Sequence, residues 1–424
     1  MNLSKSLFVT FIVVLSMRGS LVIAEDWPGF RNADRSGISK ETDLLEKWPE
    51  GGPRELWSVE GLGLGYASAA IADNVIYTTG MDSKSQDGFL FAFDLKGKQL
   101  WKKSYGPEWK RSYPGARTTP VIEDGKLYII TGQGVVNCFD AKKGDLKWEV
   151  DALKIFKGKN IVWGLAESAL IYKNMVICTP GGKDASVAAL DKNNGQTIWT
   201  SKGVSETSGY CSSVLVRRGD LDIIATVLAN SIIGVNANTG ELLWKADSGK
   251  PRGRRGRQIN PNSIIYKDGY LYQTAGYGKG GVAFKLSPDG KSIKKIWEDK
   301  NLDVQHGGVV LIDGYIYGAS HNCNRKNWLC LELKTGKVMY RHKWQRQGSI
   351  IAANGFLYCW DEHKGNLALV KANPSKFEII SSFKVEKGDK EFWAHPSISN
   401  GVLYLRHGDV LIAYDIKMRN DNSM

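Results

Sequence analysis

Short runs in which apolar and polar positions alternate are punctuated by two-residue turns along this chain. The turns fall at Asp73-Asn74, Asp124-Gly125, Lys173-Asn174, Arg218-Gly219, Asp268-Gly269, Asp313-Gly314, Asn354-Gly355 and Asn400-Gly401. Each precedes a run of the type Val75-Ile76-Tyr77 or Val402-Leu403-Tyr404. Alternation with a period of two marks strands rather than helices, and such residue pairs supply the left-handed backbone a tight hairpin needs. Eight turns predict eight β-units.

A second pattern shares the period. Ala92-Phe93-Asp94 leads through Gly97 to Trp101, and Cys138-Phe139-Asp140 through Gly144 to Trp148. Ala189-Leu190-Asp191 leads through Gly195 to Trp199, Gly234-Val235-Asn236 through Gly240 to Trp244, and Cys330-Leu331-Glu332 through Gly336 to Tyr340. Looser copies run from Ala283 through Gly290 to Trp297 and from Leu369 to Phe383. The small first residue is expected to let two sheets approach. Asp or Asn closes a strand by bonding the turn backbone, and Gly adopts positive φ. The aromatic is expected to lean on the neighbouring sheet and bury a large area. A repeat of roughly 40–50 residues with four strands per unit is the signature of a propeller.

The ends of the series fit together. Trp57, within Arg54–Val59, precedes any complete unit, while the last unit ends at Ala413-Tyr414-Asp415 with no aromatic to follow. The expectation is therefore an all-β, eight-bladed β-propeller of four-stranded antiparallel blades. The N-terminal strand closes the ring, removing free sheet edges. Trp57, Trp101, Trp148, Trp199, Trp244, Trp297 and Tyr340 are the expected docking aromatics. A closed ring of this kind predicts a monomer.

Composition agrees: 424 residues, 42% hydrophobic, with 47 Gly and 12 Pro, suit a chain of many short strands and exclude general disorder. Residues 1–24 read as a signal peptide, with Lys5, the apolar run 7–15 and a cleavage site after Ala24. This leaves 25–424 as one propeller domain in the periplasm or outside the cell, and no later apolar run approaches spanning length. Of the six cysteines, Cys138 and Cys330 sit where other repeats carry Ala, which predicts buried free thiols; Cys323 with Cys330 is the local pairing the spacing allows. The formal charge is +13. The cations are spread over turns, apart from the run Arg252, Arg254, Arg255 and Arg257. That run lacks interleaved aromatics, so a nucleic-acid partner is not expected.

The Ala-x-Asp-x-x-x-Gly-x-x-x-Trp repeat resembles the tryptophan-docking motif of pyrroloquinoline-quinone (PQQ) propellers. The opening Asp26-Trp27-Pro28-Gly29-Phe30-Arg31, with Lys47-Trp48-Pro49 and Glu60-Gly61-Leu62-Gly63, is similar to exported PQQ-like propellers of planctomycete-type bacteria. The superfamily includes quinoprotein alcohol dehydrogenases and the outer-membrane assembly lipoprotein. The resemblance implies the fold over nearly the whole mature chain. It implies function weakly, because propellers host many activities. The adjacent cysteines of the dehydrogenases, their Ca²⁺-ligand set and their Asp base find no match here, and neither does the lipidated cysteine of the assembly factor.

Aligning the units on their turns gives a candidate site. The column at the start of each innermost strand reads Ser68, Thr119, Ser168, Ser213, Ser263, Gly308, Ser349 and His395. Two positions earlier stand Tyr66, Arg117, Ala166, Cys211, Pro261, His306, Gln347 and Trp393, with Glu167 in the column between. Arg117, Glu167, His306, Gln347, Trp393 and His395 are thus expected to converge at one mouth of the central channel. Apolar surface with a few convergent polar groups is how small-molecule sites look, and histidines there could move protons. Two His and one Glu lack metal-ligand spacing, so no metal site is assigned. Gly276–Gly281 has no helix after it for phosphate binding, and neither a Gly-x-Ser-x-Gly nor a His-Glu-x-x-His motif occurs. The leading expectation is a binding or scaffold propeller of the cell envelope, with an envelope protein, peptide or carbohydrate as partner. The alternative is a PQQ-dependent oxidoreductase acting on alcohols or sugars with PQQ and Ca²⁺.

Overall fold

A computed structural model describes residues 25–249, 259–323 and 325–419. The leader and the arginine run lie outside the described residues. Eight four-stranded antiparallel sheets succeed one another along the chain. The blades span 70–107, 121–151, 170–201, 214–247, 265–299, 309–343 and 348–384, and the eighth comprises 397–415 with Arg54–Val59 as its outermost strand. One helix among the described residues, Ala152–Ile155, is a single turn.

The eight turns join the first and second strand of each blade. Asp124 and Gly125, Asp268 and Gly269, and Asn354 and Gly355 all hold positive φ, as the hairpin geometry requires. In seven blades the small residue of the repeat faces the docking aromatic directly across the ladder. Ala92 pairs with Trp101, Cys138 with Trp148, Gly234 with Trp244 and Ala413 with Trp57. The small residue therefore makes room for the ring within its own blade rather than between sheets. A side chain on Gly234 would place its Cβ 2.1 Å from Trp244.

The repeat glycine makes the contact between blades. A Cβ on Gly97 would stand 2.7 Å from the Trp57 ring, on Gly144 2.8 Å from Trp101, and on Gly240 2.4 Å from Trp199. Each indole thus lies on the bare backbone of the next blade's turn. Trp57 and Trp297 also donate from Nε1 to the Leu95 and Leu333 carbonyls, at 2.9 and 3.0 Å. The fourth junction departs from this pattern, with Gly290 against Ile223 and Arg218. In the seventh blade Leu369 faces Ser381, so Phe383 is not the counterpart of the docking aromatics. It packs instead on Trp48 and Tyr414, with ring centroids 5.3 and 5.2 Å away.

Ring closure is covalently remote but dense. Residues 54–59 pair with 411–415, and the buried Arg406 of the eighth blade donates to Gly408 O in its own hairpin and, across the seam, to Thr78 Oγ1 and Thr79 O. No disulfide forms among the six cysteines, so Cys323 and Cys330 are not joined. Cys330 is buried opposite Tyr340.

Candidate functional site

The small column at the channel does more than relieve crowding. Ser68 Oγ accepts from His395 N at 2.9 Å, Thr119 Oγ1 from Ser68 N at 3.0 Å, and Ser212 Oγ from Ser168 N at 3.0 Å. Ser168 Oγ and Ser263 Oγ donate to Thr119 O and Ser212 O. Successive innermost strands carry no ladder between them, and short hydroxyl side chains stitch the buried groups of one blade to the next.

One end of the channel is filled by the segment before the first blade, which the sequence pattern did not assign. Trp27 bridges to Ile71 in the first blade and Ile38 to Ala352 in the seventh, so residues 27–38 cross the axis. Arg31 and Arg35 are buried there with positive φ. Arg31 donates to the Ile350 carbonyl at 2.9 Å and to the Val309 carbonyl; Arg35 donates to Ser213 O at 3.0 Å and to Ser168 O at 2.9 Å. Burial draws each guanidinium down to about 10, so both stay cationic at neutral pH. Each binds carbonyls of two neighbouring blades.

What remains is a one-ended cup of about 330 Å³ at the other mouth. Its aromatic rings form two groups. Trp393 of the eighth unit stands 5.0 Å from Tyr66, Tyr113 and His306. Trp163, contributed by the third unit, stacks on Tyr277 at 6.2 Å and 14° and meets Tyr210 at 6.0 Å. Phe30 from the plug lines the cup too, 4.9 Å from His395. Polar groups are few. Gln305 Nε2 donates to Tyr277 Oη at 3.0 Å, and Arg117 lies beneath backbone carbonyls, donating to Gly115 O at 2.7 Å and Tyr113 O at 2.6 Å.

Of the six expected residues, Arg117, His306, Trp393 and His395 line the cup; Glu167 and Gln347 do not. Glu167 is fully buried behind the wall, accepting from Thr179 N and Oγ1, both at 2.8 Å, and from Ser213 Oγ at 3.3 Å. Its neighbour Ala166 lines the cup, whereas the Glu167 side chain turns away towards Thr179 and Ser213 of the third and fourth units. Burial pushes its carboxyl up to about 7. Gln347 turns away to donate to Glu362 Oε1 at 2.6 Å, and Glu362 Oε2 lies 3.5 Å from His306 Nε2. Glu362 was missed because it follows the second strand, outside the aligned columns. Burial raises its carboxyl to about 8 and lowers the His306 imidazole to about 3, so this pair is uncharged overall at neutral pH.

His395 has both ring nitrogens engaged. A guanidinium only donates, so Nδ1 accepts from Arg31 Nη1 at 3.1 Å, which leaves the proton on Nε2, donating to His306 O at 2.8 Å. Burial and the adjacent guanidinium hold this imidazole neutral, well below its usual range. Among the described residues no three His, Cys, Asp or Glu are placed to hold a metal ion.

Fold and site together define a tryptophan-docked, eight-bladed β-propeller with a plugged channel and an aromatic cup. The PQQ_2 family model, described as outer membrane protein assembly factor BamB, matches residues 86–342, more than half of the sequence, and the chain belongs to that family. It is 25% identical over 275 residues to the outer membrane protein assembly factor BamB of Shewanella oneidensis, covering 62% of this chain and 65% of that protein. It is 28% identical over 200 residues to the quinoprotein alcohol dehydrogenase PedH of Pseudomonas putida, covering 45% of this chain and 30% of that enzyme. The matched stretches thus span 30% to 65% of the length of these curated relatives. In structure it resembles BamB from Moraxella catarrhalis, with TM-score 0.62 and 15% identity over 86% of this chain and 99% of that one. It also resembles a europium-containing methanol dehydrogenase, with TM-score 0.66 and 13% identity over 90% of each chain. At these identities the likeness speaks to the fold alone.

Proposed function

We propose that this chain is an exported propeller that works as a binding and scaffold module of the cell envelope, holding an envelope protein, peptide or carbohydrate in the aromatic cup. Residues 1–24, with the features of a cleavable leader, support export to the periplasm or beyond, with 25–424 as the mature propeller. The closed ring supports a monomer.

One observation carries this reading: the cup offers aromatic contact surface, while His395, Glu167 and Glu362 around it are committed to the protein, and burial keeps the His306 imidazole, whose Nε2 has no hydrogen-bond partner among the described residues, from taking up a proton at neutral pH. His395 is bonded at both nitrogens, Glu167 is sealed off, and Glu362 is held by Gln347. Aromatic rings with a few oriented polar atoms bind; acid–base work needs a group free to exchange a proton with the ligand.

The dehydrogenase alternative asks for PQQ, a planar tricarboxylate, beside Ca²⁺. The residues present do not fit it. Among the described residues, Arg117 is the single Arg or Lys lining the cup and is turned to backbone carbonyls, and no Asp or Glu lines the cup to ligate a hard cation. No step is therefore derived through that cofactor.

The test compares chain 25–424 with its Trp393→Ala and Trp163→Ala variants. Loss of a specific envelope ligand in both variants, with unchanged melting, supports the reading. Retention by both would end it. Saturable PQQ and Ca²⁺ binding with dye reduction by an alcohol or sugar would replace it with the dehydrogenase.

A further inference from the structure

A second hollow opens close to the cup. It measures about 410 Å³ and lies where the loop between the sixth and seventh blades meets the hairpin after Phe356–Asp361. Lys326, Lys343, Arg346, His363 and Lys364 line it, all exposed, with the half-buried Trp344. None of these four Lys and Arg side chains is in an ion pair among the described residues. The one carboxylate in the lining, Asp361, is fully buried. It accepts from the backbone N–H groups of Arg346, His363 and Lys364 at 3.1, 3.3 and 2.7 Å, so it holds the two loops in place. Although the sequence spreads its cations over turns, the fold gathers four of them here without partners.

The Gln347–Glu362 pair lies between this hollow and the cup. Gln347 follows Arg346 in sequence, Glu362 precedes His363, and Glu362 reaches to 3.5 Å from His306 in the cup wall. Glu362 is largely protonated at neutral pH because burial raises it to about 8, so it adds little negative charge between the two.

We propose that the two hollows are adjoining subsites for an anionic oligosaccharide, a sugar ring lying against the cup aromatics and a carboxylate or sulfate ester of the next residues held by Lys343, Arg346 and Lys364. This rests on the binding-module reading above and names its ligand class. The apolar faces of a pyranose match flat rings. The phenols of Tyr113 and Tyr66 with Gln305 give hydroxyl partners, and clustered cations match acidic groups. A glycan is favoured over an acidic peptide because the innermost strands, although edges of their sheets, have channel-side carbonyls already taken up by Arg31 and Arg35 of the plug and by serine hydroxyls of the neighbouring blade.

The experiment is calorimetric titration of chain 25–424 with tetragalacturonic acid, a chondroitin sulfate tetrasaccharide, neutral cellotetraose and hexaglutamate. At least one acidic tetrasaccharide is expected to bind tenfold or more tighter than cellotetraose, with the advantage lost in 0.5 M NaCl. Which acidic probe wins separates carboxylate from sulfate recognition. The exposed double variant Arg346→Glu/Lys364→Glu is expected to abolish that advantage while leaving melting unchanged. Equal binding of acidic and neutral tetrasaccharides, or an advantage that survives the double variant, overturns the anionic class and leaves the cup reading standing. Tighter binding of hexaglutamate than of either acidic sugar replaces the ligand with a peptide. Should no tetrasaccharide bind, the anionic glycan proposal fails; the Trp393→Ala and Trp163→Ala comparison decides the cup reading separately.

Discussion

Arg31 Nη1 lies 3.1 Å from His395 Nδ1 and 2.9 Å from the Ile350 carbonyl, so a residue far ahead of the first blade completes the hydrogen bonding of the sixth, seventh and eighth units. Replacing it by Ala strands buried acceptors and opens a void. Arg31→Ala is expected to lower unfolding free energy by about 3 kcal/mol, as loss of a charged donor to buried carbonyls does. Arg31→Lys, a point charge that cannot fork between two carbonyls, should recover only part of it. Denaturant midpoints of the three proteins check this; a midpoint unchanged in Arg31→Ala would contradict the plug.

The same neighbourhood sets a pH profile. His395 is held neutral when folded and regains an ordinary value near 6.5 on unfolding. The unfolded chain therefore binds the extra proton below that pH, and stability falls as pH drops. Glu362 behaves in the opposite sense. Its folded carboxyl titrates at about 8 against 4.5 when unfolded, so the folded state holds the extra proton in between and stability falls as pH rises. Each limb has a slope of up to about 1.4 kcal/mol per pH unit. The two oppose each other between 4.5 and 6.5, where unfolding free energy should be flattest. Urea titrations at several pH values would show the plateau. Glu362→Gln, which mimics the protonated acid, should lessen the decline above 6.5 and, by removing the opposing limb, turn the plateau between 4.5 and 6.5 into a rise of stability with pH.

Closure offers a third prediction. Gly97 holds φ +82° under the Trp57 ring, so any side chain there meets both the indole and a disfavoured backbone. Gly97→Val is expected to destabilise by about 2–4 kcal/mol, and Trp57→Ala by about 3 kcal/mol. Because they remove the same contact, the double variant should cost clearly less than the sum. Additive losses in a thermal or denaturant cycle would show that the two do not act through one another.

In the cup, Trp393 organises Tyr66, Tyr113 and His306 around itself, yet belongs to no blade ladder. Trp393→Ala should weaken ligand binding at least tenfold while changing stability by less than about 1 kcal/mol. A large drop in melting temperature would instead make Trp393 a structural residue.

The fold was legible because its contacts repeat. Trp57, Trp101, Trp148 and Trp199 each need a bare glycine in the next blade, and this requirement writes itself into the chain with a period. Phe383 shows the limit, since an aromatic at a similar spacing packs on Trp48 without taking the docking position. The cup was partly legible. Arg117, His306, Trp393 and His395 were found through a shared register, while Glu167 shares that register yet turns its carboxyl to Thr179 and Ser213 behind the wall, which register alone does not reveal. Trp163, Tyr113 and Tyr210 lay outside the aligned columns altogether. Arg31 and Arg35 left no signal because their partners are backbone carbonyls, which every residue type carries.

Because Arg54–Val59 pairs with the strand ending at Asp415, one of the first strands to leave the ribosome waits for one of the last. Until residues 410–415 have been made the propeller is an arc with two raw flanks, and the eighth sheet is incomplete. The circle can therefore close only once that strand has emerged. A product cut short ahead of that final sheet would be left as an unsealed arc, open to aggregation or proteolysis.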